Sequence, residues 1–139
     1  MIFKSTREMY SFAHDHVEIH DELKWCMICT YGIYIPYVTS SCRKFFDIME
    51  ERKVKVSIVV GNNHKRETKK RISAITSVFN NIEIRLVDNM HAKCILFSDG
   101  LFITGSMNIN DSKYTEIGMS KFLDDKEFTD VALWISSIL

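Results

Sequence analysis

The sequence has little of the residues that mark unusual chains. Its 139 residues include one proline, five glycines and four cysteines, and 18 basic side chains balance 18 acidic ones. A collagen-like fibre or a low-complexity linker needs far more glycine and proline, so both are excluded. A disordered chain is also excluded, because 46% of the residues are hydrophobic and the net charge is zero. We expect one folded domain over residues 1–139.

Long apolar runs are also missing. The longest, from Trp25 to Val38, is interrupted by Gly32 and Pro36, whereas a transmembrane helix needs about 20 consecutive apolar residues. We therefore expect no transmembrane segment. The N-terminus reaches a charge at Lys4 and offers no apolar signal region. A cytoplasmic protein is the resulting expectation.

The four cysteines are too few for a disulfide framework, so we expect free thiols in a reducing compartment. Cys26 and Cys29 form a Cys-x-x-Cys pair without a second pair at zinc-knuckle spacing. In a strand, their sulfurs would face opposite sides. We interpret both as small buried apolar residues.

The zero net charge hides an uneven distribution. Residues 43–71 hold ten basic and four acidic side chains, whereas residues 109–139 hold three and six. Five cations lie close together and are called the basic cluster below: Lys65, Arg66, Lys69, Lys70 and Arg71. They are candidate contacts for a phosphate backbone, and the alternative is the solvated flank of a helix.

The hydrophobic periodicity predicts four helices and five strands in the order α-β-α-β-α-β-β-β-α. Ser98-Asp99-Gly100 between two apolar runs indicates a hairpin turn. The order predicts an α/β fold with a mixed sheet flanked by helices, composed of an N-terminal helix in 1–23 and an α/β core in 24–139. The predicted helices are 5–23, 40–53, 65–80 and 124–138, and the predicted strands are 25–31, 53–60, 81–87, 91–97 and 101–105.

The segment from His91 to Asn108 carries the chemistry. In a strand, His91 and Lys93 project to one side while the intervening residue packs behind. Gly105 lets the backbone approach a ligand closely, and Ser106 and Asn108 can aim a hydroxyl and an amide at one point. A nucleophile, a cation and two neutral donors suit a phosphate group.

This segment resembles the phospholipase D superfamily, whose signature is His-x-Lys, four residues, Asp, six residues and Gly-Ser-x-Asn. His91, Lys93, Gly105, Ser106 and Asn108 stand at the family's spacing. Further on, Glu116 occupies the position of an acidic residue that orients the catalytic histidine in the family. The resemblance extends over about residues 24–120 and implies a phospholipase D-like fold.

One position departs from the signature. Ser98 stands where the family has its aspartate, and Asp99 lies one residue later. Asp99 reaches the family's position through a bulged turn, or the carboxylate is missing from the site. A catalytically silent member is conceivable in the second case.

The resemblance implies hydrolysis of a phosphodiester in two steps without a metal or a cofactor. His91 would attack phosphorus to form a phosphohistidine, and a second histidine would protonate the leaving oxygen. Lys93, Ser106 and Asn108 would stabilise the charged oxygens, and Glu116 would hold an imidazole in the correct tautomer.

The chemistry needs two histidines on opposite sides of phosphorus, and the chain has one such motif. The other histidines, at positions 14, 16, 20 and 64, lack that context. We therefore predict a homodimer whose two copies share one active site across a two-fold axis.

The motif specifies the reaction better than the substrate. The basic cluster favours a nuclease acting on DNA or RNA. A phospholipid hydrolase working at a membrane surface is the first alternative. A silent nucleic-acid-binding module is the second.

Two other features admit a functional and a structural interpretation. His16 and His20 are four residues apart on a helix and would suit a metal, but we favour a solvated helix face and predict no metal site. The aromatic stretch from Tyr31 to Tyr37 would suit stacking on bases or contact with lipid, and we favour packing within the domain or a dimer.

Overall fold

The computed structural model describes residues 1–36, 40–62, 65–109 and 116–138. Within these residues the chain forms seven strands and four helices in one α/β arrangement. The elements are β1 (Ile2–Phe3), α1 (Thr6–Ile19), β2 (Trp25–Thr30), α2 (Ser41–Glu51), β3 (Lys55–Gly61), α3 (Lys65–Val78), β4 (Ile82–Val87), β5 (Cys94–Phe97), β6 (Leu101–Gly105), β7 (Gly118–Phe122) and α4 (Asp125–Ile138). The predicted α/β class is confirmed, but β1 and β7 were not predicted.

The seven strands form one mixed sheet in the order β1-β7-β6-β5-β2-β3-β4. Strands β2, β3 and β4 are parallel, while β5, β6, β7 and β1 continue the sheet in antiparallel pairs. The carboxyl ends of β2, β3, β4 and β6 therefore meet the amino ends of β5 and β7 at one edge, called the site edge below. The opposite edge is called the far edge.

Helices cover both faces of the sheet. Helices α1, α2 and α3 pack on one face in a core that includes Tyr10, Phe45, Phe46 and Ile75. The second face packs against α4 through a smaller cluster around Ile135. Strand β3 ends in four buried residues, 58–61, as its continuous apolar run predicts for a central parallel strand.

Local signals in the sequence explain most element boundaries. Ser5 and Ser40 cap α1 and α2, because their side chains accept hydrogen bonds from the backbone N–H groups of Glu8 and Arg43, both at 3.1 Å. The predicted hairpin turn between β5 and β6 is confirmed, with Gly100 at a φ of 94°. Strand β7 was missed because its five residues include glycine, serine and lysine and no β-branched residue.

The cysteines occupy the predicted environments. All four are free and buried. Cys26 faces the core under α1 and α2, whereas Cys29 faces the α4 side, so their sulfurs do lie on opposite faces. Burial raises the pKa of the Cys26 thiol well above its usual value, and a hydrogen bond with Cys94 together with burial raises that of Cys29. Both are therefore uncharged thiols at neutral pH.

The expectation of a solvated helix face at His16 is wrong. Met9, Ala13, His16 and Val17 follow the buried stripe of α1 at helical spacing, and only 7% of His16 is exposed. Burial lowers the pKa of His16, although the nearby carboxylate of Asp99 acts in the opposite direction. His16 is therefore a buried side chain of the far edge.

None of the helices in the described residues is long and apolar enough to cross a membrane.

Candidate active site

The candidate catalytic residues converge on the site edge of the sheet. His91 and Lys93 precede β5, Ser106 and Asn108 follow β6, and Glu116 precedes β7. Each position lies where a strand starts or ends at this edge. Ligand sites of α/β sheets commonly lie outside strand ends of this kind.

His91 and Lys93 share one aromatic platform. The His91 ring stacks on Tyr31, with ring centroids 4.3 Å apart and planes 23° apart. Lys93 Nζ lies 5.8 Å from the centroid of the same ring and donates a hydrogen bond to the carbonyl oxygen of His91 at 3.3 Å. The exposed imidazole and the half-buried cation therefore face one region, as the sequence predicts.

The strand that supports them is shorter than predicted. Strand β5 begins at Cys94 rather than at His91, and its ladder to β6 starts with the pair Cys94 and Thr104. The backbone carbonyl of Lys93 still accepts a hydrogen bond from Thr104 Oγ1 at 3.1 Å. Ala92 and Cys94 pack toward α4, so the alternation of sides holds beyond the regular strand.

Ser106 and Glu116 form a hydrogen-bonded pair beside this platform. Ser106 Oγ donates to Glu116 Oε2 at 2.5 Å and accepts from the Ile117 backbone N–H at 3.1 Å. Ser106 N–H also donates to the Ile117 carbonyl at 2.9 Å. The carboxylate is thereby fixed at the start of β7, at the same sheet edge as His91.

Asn108 ties the loop after β6 to the loop after β2. Its Oδ1 accepts hydrogen bonds from Tyr31 N–H and Gly32 N–H, both at 3.1 Å, and from the Thr30 hydroxyl at 3.3 Å, whose proton is shared with the Gly32 carbonyl at 2.6 Å. Three donors on one atom identify it as the carbonyl oxygen, which leaves Nδ2 as the donor of this side chain. Asn108 therefore holds the backbone of Tyr31, whose ring is the aromatic platform.

Gly105 has a different role from the one predicted. A Cβ at this position would overlap the Ile117 carbonyl oxygen and lie 2.6 Å from Gly118 Cα. The close neighbour is the backbone of β7 rather than a ligand, because β6 and β7 pair through two glycines here. Gly105 thus allows the approach that places Glu116 against Ser106.

Ser98 and Asp99 lie at the far edge, beyond the other end of β5. Ser98 Oγ accepts hydrogen bonds from Lys24 N–H at 3.0 Å and from Trp25 N–H at 3.5 Å. Asp99 Oδ2 lies 2.7 Å from His16 Nε2. Neither residue joins His91, so the idea that Asp99 reaches the site through a bulged turn is wrong.

The basic cluster lies on α3, which follows β3 at the site edge. Its five side chains are exposed. Arg71 is 3.5 Å from Glu67 and lies over the ring of Tyr34 at 5.7 Å from the centroid. Lys70 and Arg71 also border an apolar groove of about 190 Å³ between α2 and α3, with Tyr34 and Phe79 among its walls.

The family model described as cardiolipin synthase, phospholipase D-like domain, matches residues 8–130. The chain belongs to this phospholipase D-like family. The resemblance drawn from the sequence motif is thereby confirmed, and the domain is a member of a phosphodiesterase superfamily. No curated protein sequence matches the chain significantly.

Solved structures share the phospholipase D-like fold at low identity. NucT from Helicobacter pylori has a TM-score of 0.69 at 14% identity, covering 99% of this chain and 93% of its own. A polyphosphate kinase from Porphyromonas gingivalis has a TM-score of 0.67 at 14% identity, and the match covers 96% of this chain and 25% of the kinase chain. TrmBL2, described as an archaeal chromatin protein with a novel mode of DNA binding, has a TM-score of 0.61 at 10% identity. The match covers 99% of this chain and 50% of the TrmBL2 chain.

Sequence reasoning did not assign Tyr31 to the site of this phospholipase D-like domain. We expected packing for the aromatic stretch, and Ile33 and Ile35 are indeed buried, but Tyr31 supports His91. Tyr37 and His64 lie outside the described residues. The sequence signal that could have found Tyr31 is its position directly after a buried strand, where binding residues are common. Gly61, the last residue of β3, leaves room for the Tyr31 ring.

Proposed function

We propose that the domain hydrolyses phosphodiester bonds of nucleic acids, with His91 as the nucleophile. The observation that carries the proposal is the meeting of His91 and Lys93 on Tyr31 at the edge where the Ser106–Glu116 pair and Asn108 also lie. This set supplies a nucleophile, a cation and neutral donors around one phosphate. It includes a single carboxylate, whereas magnesium sites rely on several oxygen ligands.

The first step transfers the phosphoryl group to the protein. A ring nitrogen of His91 attacks phosphorus, a P–N bond forms, and the P–O bond to the leaving oxygen breaks. A second imidazole donates a proton to that oxygen. In the second step, the same imidazole takes a proton from water while the water oxygen attacks phosphorus. The P–N bond breaks and His91 is freed. Lys93 and Asn108 Nδ2 stabilise the negative oxygens.

The second imidazole comes from another copy of the chain in this proposal. Exposed apolar side chains at the start of β7 support such an association, since Ile117 and Met119, close to Glu116 in the chain, are 65% and 54% exposed. Apolar side chains grouped on a surface commonly mark interfaces. A two-fold axis near β7 would bring the partner subunit's His91 opposite its counterpart and make one site per dimer.

The basic cluster favours a nucleic acid as the substrate. Five exposed cations beside the site offer contacts to successive phosphates of a polyanion. The DNA binding stated for TrmBL2 is in line with this use of the fold.

A phospholipid substrate is the second candidate, supported by the apolar groove beside the basic cluster. Arg43, Lys70 and Arg71 border apolar walls there, an arrangement that suits an anionic headgroup with an acyl chain. The description of the matching family model points the same way. A silent binding module is less well supported, because the substituted Ser98 lies at the far edge and touches none of the site residues described above.

One experiment separates these functions. Purified protein is incubated with labelled single-stranded DNA, duplex DNA, RNA and anionic phospholipid vesicles, each with and without EDTA. We expect cleavage of nucleic acid that survives EDTA, loss of turnover with retained binding in His91→Ala, and normal turnover in the control His14→Ala. Cleavage of the lipid alone would support the second candidate. Binding without turnover would support the silent module, and loss in EDTA with rescue by magnesium would contradict the mechanism.

The shared site is tested with mixed dimers. Wild-type and His91→Ala chains are refolded together and the heterodimer is isolated by two different affinity tags. We expect the heterodimer to be inactive, because each site needs both histidines. A heterodimer with wild-type activity, or a fully active monomer in sedimentation, would refute the composite site.

A further inference from the structure

A second cluster of chemically capable side chains lies at the far edge. His16 and His20 are one turn apart on α1, with ring centroids 4.4 Å apart, and Asp99 comes from the turn between β5 and β6. One possible ligand atom from each of the three residues lies within 4.8 Å of the other two. Two imidazoles and a carboxylate form a ligand set typical of zinc sites.

His16 is the central side chain of this cluster. It is buried between the rings of Phe97 and Phe122, at centroid distances of 5.1 and 6.0 Å. Its Nε2 lies 2.7 Å from Asp99 Oδ2, which is within ion-pair distance. Among the described residues, this buried nitrogen makes no hydrogen bond of normal geometry, although buried polar atoms usually have one. A cation between the two atoms would satisfy both.

Neighbouring groups already orient the other two ligands. The Leu101 backbone N–H donates to Asp99 Oδ1 at 3.2 Å, which directs Oδ2 toward His16. Glu22 Oε1 lies 3.2 Å from His20 Nδ1, which leaves Nε2 of that ring for another contact. Metal-binding histidines and carboxylates are usually held by such outer hydrogen bonds.

We propose that His16, His20 and Asp99 bind one divalent transition-metal ion of the zinc type. With bonds of about 2.0 Å in tetrahedral geometry, ligand atoms stand about 3.3 Å apart, so His16 and Asp99 need to separate by about half an ångström. The side chains of His20 and Asp99 are 37% and 18% exposed, which leaves a water molecule access to the fourth position.

The ion would join the end of α1 to the β5–β6 turn. It would act on stability rather than on hydrolysis, because β5 separates the cluster from His91 by a distance on the order of 20 Å. Hydrolysis that survives EDTA, as proposed above, is therefore compatible with this metal site. Either proposal can be refuted without affecting the other.

Zinc titration tests the proposal with matched variants. Metal-free wild-type protein is titrated with ZnCl₂ by calorimetry, and its melting temperature is recorded with and without zinc. His20→Ala and Asp99→Asn remove one ligand each. His14→Ala is the control, because His14 lies on the same helix in a separate surface group with Asp15 and Glu18.

We expect one zinc ion per chain, a zinc-dependent rise in melting temperature and reversal by EDTA. His20→Ala should weaken zinc binding at least tenfold, while His14→Ala should bind as wild type does. The proposal is overturned if wild type shows no stoichiometric binding, if His20→Ala binds zinc unchanged, or if His14→Ala alone abolishes binding. Melting temperatures of the metal-free variants show whether each remains folded, and cobalt absorption of folded wild type and Asp99→Asn gives a second readout of the ligand set.

Discussion

Substitution of Asn108 separates the structural role of this side chain from its chemical one. Asn108→Ala removes an acceptor of three hydrogen bonds, two of them from backbone N–H groups in a partly buried loop. Each of the two backbone bonds contributes about 1 kcal/mol and the shared Thr30 bond contributes less, so the loss in the free energy of unfolding should be about 2–3 kcal/mol. At about 4 °C per kcal/mol for a domain of this size, the melting temperature should fall by about 10 °C.

Asn108→Asp keeps the acceptor and removes the amide donor. The carboxylate can accept the same three hydrogen bonds, so the melting temperature should stay within about 3 °C of wild type. Hydrolysis should fall at least about 100-fold, because a donor to the phosphate is lost and a negative charge replaces it. Turnover is measured at 25 °C under conditions where both variants are folded.

A third variant controls for stability alone. Asn81 Nδ2 donates to the Val54 carbonyl at 2.9 Å at the far edge, so Asn81→Ala should lower the melting temperature and leave turnover near wild type. Near-normal hydrolysis by Asn108→Asp would refute the contact between Nδ2 and the phosphate. An unchanged melting temperature in Asn108→Ala would refute the structural role.

Three further predictions have definite expected outcomes. Replacing the basic cluster by alanine should reduce the slope of log K against log salt concentration for duplex DNA binding by about 0.9 per lost phosphate contact. Lys55→Ala at the far edge should leave this slope unchanged. Equal slopes for wild type and the cluster variant in filter binding would contradict the cluster's role. Gly105→Ala should destabilise the fold by about 1–3 kcal/mol in denaturant unfolding, because its Cβ overlaps backbone, whereas Gly32→Ala meets Asn108 only at 3.8 Å and should not. Tyr31→Leu should lower kcat by about 2- to 10-fold, because the ring that stacks on His91 is lost. Tyr31→Phe keeps the ring and should have a kcat close to that of wild type. An unchanged kcat in Tyr31→Leu would show that the aromatic platform is unnecessary.

The sequence was sufficient for the parts of the molecule that depend on local pattern. The spacing from His91 to Asn108 predicted that these side chains lie close together, and strand alternation placed Lys93 and His91 on one side, because both signals operate over a few residues. The role of Tyr31 could not be predicted in this way. Its contact with His91 depends on the pairing of β2 with β5, which single-sequence periodicity does not specify.

The errors at Asp99 and Gly105 have the same origin. Gly105 was expected to admit a ligand because glycine lacks a side chain, and the bulged turn was one of two alternatives for Asp99 because this residue lies one position after the motif's aspartate. Neither argument shows which neighbour approaches in three dimensions. Asp99 faces His16 across the far edge, and Gly105 faces the backbone of a strand whose composition gave no strand signal.

The attachment of Asn108 to the loop after β2 also has a consequence for the order of folding. The contact between Thr104 and Lys93 closes a segment of 11 residues, whereas the contact between Asn108 and Tyr31 joins residues 77 apart. A hairpin forms within microseconds, and closing a longer segment costs more chain entropy. The β5–β6 hairpin should therefore form early, before Tyr31 arrives beneath His91. In refolding experiments, recovery of ring stacking on His91 should follow formation of the hairpin, and local opening of the β2 loop should abolish catalysis while most of the sheet remains intact.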